Sequence, residues 1–192
     1  MNKLKMVQLR DICRTEKGSI ISGPFGSNIS SKFFVEEGIP VIRGNNLKLG
    51  MTRFIDNGFV FVTDDKARQL NTYAHKNDII FTAAGTIGQV GIIPADAKYP
   101  EYIISNKQLR ATIDETKANP LFVFYWLSQT SMERYIINLN TGSTIPLINL
   151  SIIKTLPIPL PNLDVQNKTV LILDTIDQKI RINEEINENL AA

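Results

Sequence analysis

The stretch LPIPLPNLDVQNKTVLILDTIDQKIRINEEINENL, residues 156–190, changes character after its first six residues. Pro157, Pro159 and Pro161 alternate, and proline has no N–H to give a ladder, so this segment predicts an extended edge or connector rather than a central strand. From Asn162 to Leu190 there is neither glycine nor proline. The pattern predicts one helix roughly 40 Å long at 1.5 Å per residue. Leu173, Ile176, Ile180, Asn183, Asn187 and Leu190 step by 3, 4, 3, 4 and 3, the spacing of a coiled-coil seam, and Ile172, Ile182 and Ile186 widen the apolar face. Such a helix calls for a partner helix, and asparagines inside a seam weaken the contact while fixing register and orientation. The chain divides accordingly into a body, residues 1–161, and a helix that calls for pairing, residues 162–192.

Charge divides at the same place. The 192 residues carry a net +2, but the body holds 18 Lys and Arg against 13 Asp and Glu, a net of +5, while the tail holds 3 against 6, a net of −3. A basic body points toward a polyanion and an acidic helix toward protein. A hydrophobic fraction of 43% with 21% charged residues is ordinary globular composition and excludes a wholly disordered chain. Cys13 is the sole cysteine, so no disulfide can form within the chain. The N-terminal MNKLKMVQLRDICRTEK has no apolar signal core and no run approaches a membrane span, so a cytoplasmic location without membrane contact is expected.

Working back through the body, short β-favouring runs alternate with glycine and polar breaks from Gly18 to about Asp114: Ile39–Arg43, Phe59–Val62, Asp78–Thr82, Gln89–Ile93 and Gln108–Ile113. Short helices are expected at Asp64–Leu70 and Leu9–Cys13. Asn119-Pro120 opens a further helix, because Asn can cap and Pro at the first position loses no needed hydrogen bond. Residues Leu121–Leu127 are apolar on every face, so this helix is expected to be buried and to run to about Ile137. The fold class is α+β: a globular, strand-rich domain with a buried helix, followed by one long C-terminal coiled-coil helix.

Catalytic chemistry is sparse. His75 is the only histidine and sits in the polar segment Asn71–Asn77, and there is no phosphate-binding loop or dinucleotide fingerprint. Gly85-Thr86-Ile87-Gly88 reads instead as a tight turn between two strands. No catalytic residue, bound metal or cofactor of the chain's own is expected. One enzymatic alternative is a small metal-dependent nuclease using Asp78, Asp96 and Lys98; a second alternative is a structural adaptor that pairs through its helix without touching DNA.

Four polar, glycine-containing loops punctuate the strands: Ser22–Asn28, Arg43–Asn46, Ala84–Gln89 and Asn140–Thr144. Their residue types suit DNA, since Arg can fork onto guanine, Asn and Gln onto adenine, and Ser, Thr, Lys and backbone N–H groups can hold phosphates. The residues expected to contact DNA are Ser27, Asn28, Lys32, Arg43, Asn45, Asn46, Thr86, Gln89, Lys107, Ser143 and Thr144.

The motifs also carry a resemblance. Gly23-Pro24-Phe25-Gly26-Ser27, then Gly38-Ile39-Pro40-Val41-Ile42-Arg43-Gly44-Asn45-Asn46, then Asn77–Thr82 with Gly85-Thr86-Ile87-Gly88, then Ser105-Asn106-Lys107-Gln108, Gly142-Ser143-Thr144-Ile145-Pro146, and the alternating prolines ahead of a helix carrying Gln166, follow in an order that resembles the DNA specificity subunit of type I restriction–modification systems. The resemblance covers nearly the whole chain. It implies a target recognition domain that reads one part of a split site on double-stranded DNA and a long helix that spaces it from a second domain. It also implies a non-catalytic subunit that directs methyltransferase (modification) subunits using S-adenosylmethionine and a restriction/translocase subunit using ATP.

Members of that family usually carry two recognition domains and two helices, whereas one of each is read here. The expectation is a half subunit, whether natural, the product of a split gene, or a truncated piece. Paired antiparallel through its helix as a homodimer, it would place two identical domains about a two-fold axis.

Overall fold

The computed structural model describes residues 5–191, and of 184, 185 and 188–191 the backbone alone. Strands are β1 (Met6–Gln8), β2 (Ile20–Ser22), β3 (Ile39–Ile42), β4 (Val60–Val62), β5 (Tyr73–Ala74), β6 (Ile79–Thr82), β7 (Val90–Ile92), β8 (Tyr102–Ile104), β9 (Gln108–Ala111) and β10 (Pro157–Pro159). Helices are α1 (Leu9–Ile12), α2 (Asp64–Leu70), α3 (Pro120–Ser128), α4 (Thr130–Asn138), α5 (Leu150–Lys154) and α6 (Leu163–Ala191). Of the two four-stranded sheets, one runs β2-β9-β6-β7, all antiparallel, and the other runs β4-β3-β8-β5, with β3 and β8 parallel; β1 and β10 form a separate pair.

Side-chain alternation builds the layers. On β6, Ile79 and Phe81 enter a core shared with Val123, Phe124 and Leu127 of α3, while Ile80 turns the other way to meet Ile42, Tyr102 and Ile104 between the sheets. Val41 and Ile103 face outward again, onto Ala67 of α2. Both sheets are thus covered on both faces, which is why β6 and β8 are buried at every position. This mixed α+β body with its long C-terminal helix is the expected fold class.

Local chemistry accounts for the helix ends. Thr63 Oγ1 accepts from Lys66 N–H at 3.2 Å, Asp64 and Asp65 sit in the first turn of α2, and Asn71 closes it at φ 49°. Asn119 Oδ1 accepts from the N–H groups of Leu121 and Phe122, ahead of Pro120. Asn162 caps α6 by accepting from Val165 N–H at 2.9 Å.

Two expectations are corrected. The helix opened by Pro120 does not run unbroken to Ile137: Gln129 is extended (φ −69°, ψ 149°), and α4 starts anew at Thr130. Ser128, Thr130 and Ser131 around the break are residues whose side chains compete for backbone hydrogen bonds. Nor does the seam of α6 begin at Leu173. Leu173 packs on the helix-side core of its own body, and the first turns of α6 lie on α3.

The proline segment pairs as β10 with β1, an edge strand. Leu156 O accepts from Leu9 N–H and Leu160 N–H donates to Lys5 O, so the even-numbered residues carry the ladder and the missing N–H groups of Pro157 and Pro159 fall on the outer side. On that side Pro157 O accepts from Trp126 Nε1 at 2.7 Å.

Arg53 holds α6 in place. Its guanidinium hydrogen-bonds Asp174 and the Tyr125 hydroxyl, and Nε lies 2.9 Å from Asp177 Oδ2, an ion contact whose angle falls short of a hydrogen bond. Burial pulls the Arg53 pKa down, but the hydrogen bonds to Asp174 and Tyr125 outweigh it and leave the pKa raised. Ile176, between the two contacting aspartates, and Ile180, Ile182 and Ile186 beyond them are half exposed, and Asn183 and Asn187 are exposed with them. The Leu190 side chain, also expected in the seam, lies outside the described residues.

Candidate nucleic-acid interface

Three loops converge at one end of the two sheets. The turn after β3 brings Arg43, Gly44 and Asn45; the β6–β7 hairpin brings Ala84, Gly85 and Thr86; the β8–β9 connection brings Ser105, Asn106 and Lys107. They enclose a cleft of about 430 Å³ whose lining carries two cations, Arg43 and Lys107, and no carboxylate. Parallel pairing of β3 with β8 and antiparallel pairing of β6 with β9 bring these loops together from distant parts of the chain. Gly85 and Gly88 hold φ values of +90° and +98°, which an L side chain would resist, so the hairpin needs both.

Of the expected contact residues, Arg43, Asn45, Thr86, Gln89 and Lys107 share this cleft. Arg43 Nη2 and Asn45 Nδ2 both rest on Gly58 O, at 3.3 and 3.4 Å. Gln89 is a supporting residue at the floor: it accepts from Thr82 Oγ1 at 2.8 Å and donates to Leu47 O at 3.0 Å. Ser27 and Asn28 are exposed on an adjoining ridge, where Gly23 N–H donates to Gln108 O. Ser143 and Thr144 are exposed on a loop pinned beside the hairpin by Gly85 N–H to Pro146 O and Ile148 N–H to Ala83 O. Lys32 is exposed outside the cleft, its Nζ 4.8 Å from the Phe33 ring centre.

Asn46 is the exception. It is fully buried, accepting from Arg43 N–H at 2.9 Å and donating to Ile55 O and Asn57 O. All of its hydrogen-bonding capacity but one lone pair is spent inside the loop, so it shapes the turn that presents Arg43 and Asn45 and reaches nothing outside.

Gln108 was not among the expected contacts. It is buried at the cleft floor, accepts from Ser105 Oγ, and its Nε2 has no partner. Its place in Ser105-Asn106-Lys107-Gln108 was visible in the sequence; its orientation was not.

The nuclease alternative has no geometry. Asp78 is 2% exposed and accepts from His75 N–H and Thr112 Oγ1, with Arg110 beside it at 3.8 Å. Burial raises its pKa, against the opposing pull of Arg110 and Thr112. Asp96 and Lys98 are exposed on the loop after β7, and among the described residues no group of His, Cys, Asp and Glu could hold a metal ion. Also among the described residues, no helix is long and apolar enough to cross a membrane.

The layered α+β body gathers polar loops into a carboxylate-free cleft, and the chain then leaves through a long helix whose isoleucines are about half exposed. Residues 1–192 match the family model described as the type I restriction modification DNA specificity domain, and the chain belongs to that family. It is 28% identical over 95 residues to the type I restriction enzyme EcoBI specificity subunit of Escherichia coli, a match covering 50% of this chain and 19% of that protein. With the MjaIX specificity subunit of Methanocaldococcus jannaschii it shares 29% identity over 115 residues, 60% of this chain and 25% of the relative. The crystal structure of the HsdS subunit from Thermoanaerobacter tengcongensis has the same fold, with a TM-score of 0.65 at 16% identity over 94% of this chain and 39% of that one. The chain therefore matches well under half the length of each.

Proposed function

We propose that the chain is a sequence-reading half of a type I specificity subunit, binding double-stranded DNA without catalysing a reaction itself. The observation that carries this reading is the cleft lined by Arg43, Asn45, Thr86 and Lys107 with no carboxylate to repel a phosphate backbone. Lys107 and the exposed Lys32 hold phosphates; Arg43, Asn45 and Thr86, with Ser27, Asn28, Ser143 and Thr144 on the flanking loops, face base edges and backbone. S-adenosylmethionine and ATP belong to methyltransferase and restriction partners that the subunit directs to the site.

The exposed apolar flank of α6, with Ile172, Ile176 and Ile180 at least half exposed, favours an antiparallel homodimer that reads an inverted, bipartite site. Selection from a randomised duplex pool tests both parts. Two inverted half-sites are expected, with binding that falls as salt rises, and Ala at Arg43 or Asn45 relaxes the preference at individual base pairs. Salt-independent binding, or unchanged selection by both variants, refutes the cleft assignment; a single asymmetric site, or a monomer by sedimentation where DNA is bound, refutes the homodimer.

A further inference from the structure

Phe25 is the most exposed large apolar side chain among the described residues, at 85%, against 69% for the next, Leu171. An isolated exposed hydrophobe needs no explanation by itself. The framework around this one does, because it holds the ring outward. Pro24 precedes it with a fixed φ, and the turn Gly26–Asn28 follows it, closed by Asn28 N–H to Phe25 O at 2.8 Å. Behind it the loop presses on the β8–β9 connection so closely that a Cβ on Gly23 would lie 1.8 Å from Ser105 O, and one on Gly26 would lie 3.1 Å from Asn106 Nδ2. Ile29, 6% exposed, anchors the far end.

The loop forms a ridge between two hollows. On one side is the cleft with Lys107; on the other is a hollow of about 370 Å³ lined by Phe25 itself with Asn28, Lys66 and Gln69. A rigid ridge crowned by an aromatic ring, with a lysine in the hollow on each side, has the layout of an apolar wedge entering between base pairs while the flanking cations meet the backbone.

We propose that Phe25 is a DNA-stacking wedge, inserting against a base step beside the bases that the cleft reads; this rests on the DNA-binding reading above. The test uses the 192-residue chain and a duplex selected by it from a randomised pool, with Phe25→Ala and Phe25→Trp variants. Because the ring is exposed, both variants fold as the parent does. Phe25→Ala is expected to bind roughly tenfold more weakly with an unchanged salt slope, since stacking is lost and phosphate contacts are kept. Phe25→Trp is expected to bind like the parent and to lose indole emission on binding, beyond any change shown by Trp126 in the parent. Unchanged affinity with unquenched emission overturns the wedge. Weaker binding without quenching also overturns it, placing Phe25 beside the DNA but outside the base stack. Unchanged DNA binding with loss of methyltransferase-subunit capture overturns it in favour of a protein contact. If the parent itself selects no duplex, the underlying DNA reading fails and the wedge with it.

Discussion

Replacing Arg53 with Met isolates the contact that sets α6 against the body. The Arg53 side chain is 14% exposed, and its partners Asp177 and Asp174 are 16% and 28% exposed. Removing one member of a fully buried pair costs about 3–5 kcal/mol because the other charge is left unpaired. Here solvent reaches Asp174, and two carboxylates stay behind one turn apart, so a loss of about 2–3 kcal/mol is expected. For a chain of this size that lowers the melting temperature by roughly 5–10 °C. The backbone hydrogen bond at this position should survive, since Arg53 O accepts from Ile92 N–H of β7 whatever the side chain. Hydrogen exchange should show lost protection in the part of α6 that lies on α3, with β6 and β9 unchanged. Adding Asp174→Asn and Asp177→Asn to Arg53→Met removes the stranded charges and should restore more than half of the loss. A melting temperature within about 1 °C of the parent, or a triple variant no better than the single one, would refute the argument.

Two further substitution and labelling experiments follow from the same structure. Asn46→Ala leaves one N–H and two carbonyls without partners and should cost about 3 kcal/mol in urea denaturation, whereas Asn45→Ala next to it should change stability by less than about 0.5 kcal/mol; equal effects would mean that Asn46 does not brace the loop. Burial pushes the Cys13 thiol up to about 12, with Lys117 pulling the other way, so alkylating reagents at pH 8 should leave the native protein unmodified and label it rapidly in denaturant; labelling of the native form at the rate of a free thiol would contradict this.

Local pattern accounts for what could be anticipated. Strands β3, β4, β6, β7 and β9 stand out because apolar runs end at glycine, asparagine or charged residues, and α2 and the start of α3 are marked by capping residues on the chain itself. Strands β1, β2, β5 and β8 span two or three residues each, too few for a period to emerge; β4 and β7 are as short and stand out only as the cores of the longer runs Phe59–Val62 and Gln89–Ile93. Helix α5 is also short, at five residues, and has only its Asn149 cap to mark it ahead of the prolines. The start of α6 was legible at Asn162, but the inward role of Leu173 was not, because seam spacing is blind to whether a helix meets a partner or its own body.

The loops that form the cleft could be recognised as polar and glycine-bearing, and their order along the chain carried the family. That Arg43, Thr86 and Lys107 face one space is a product of long-range pairing, β3 with β8 and β6 with β9, which no window of sequence contains. Asn45 and Asn46 mark the boundary most sharply. They are chemically identical neighbours, yet one is exposed at the cleft and the other is fully buried, because the tight turn of residues 44–46 sends consecutive side chains in opposite directions and the carbonyls of Ile55 and Asn57 wait on only one side. Composition, caps and spacing determined the elements and the type of chemistry on offer; packing across the sheets decided which side chains remain free to use it.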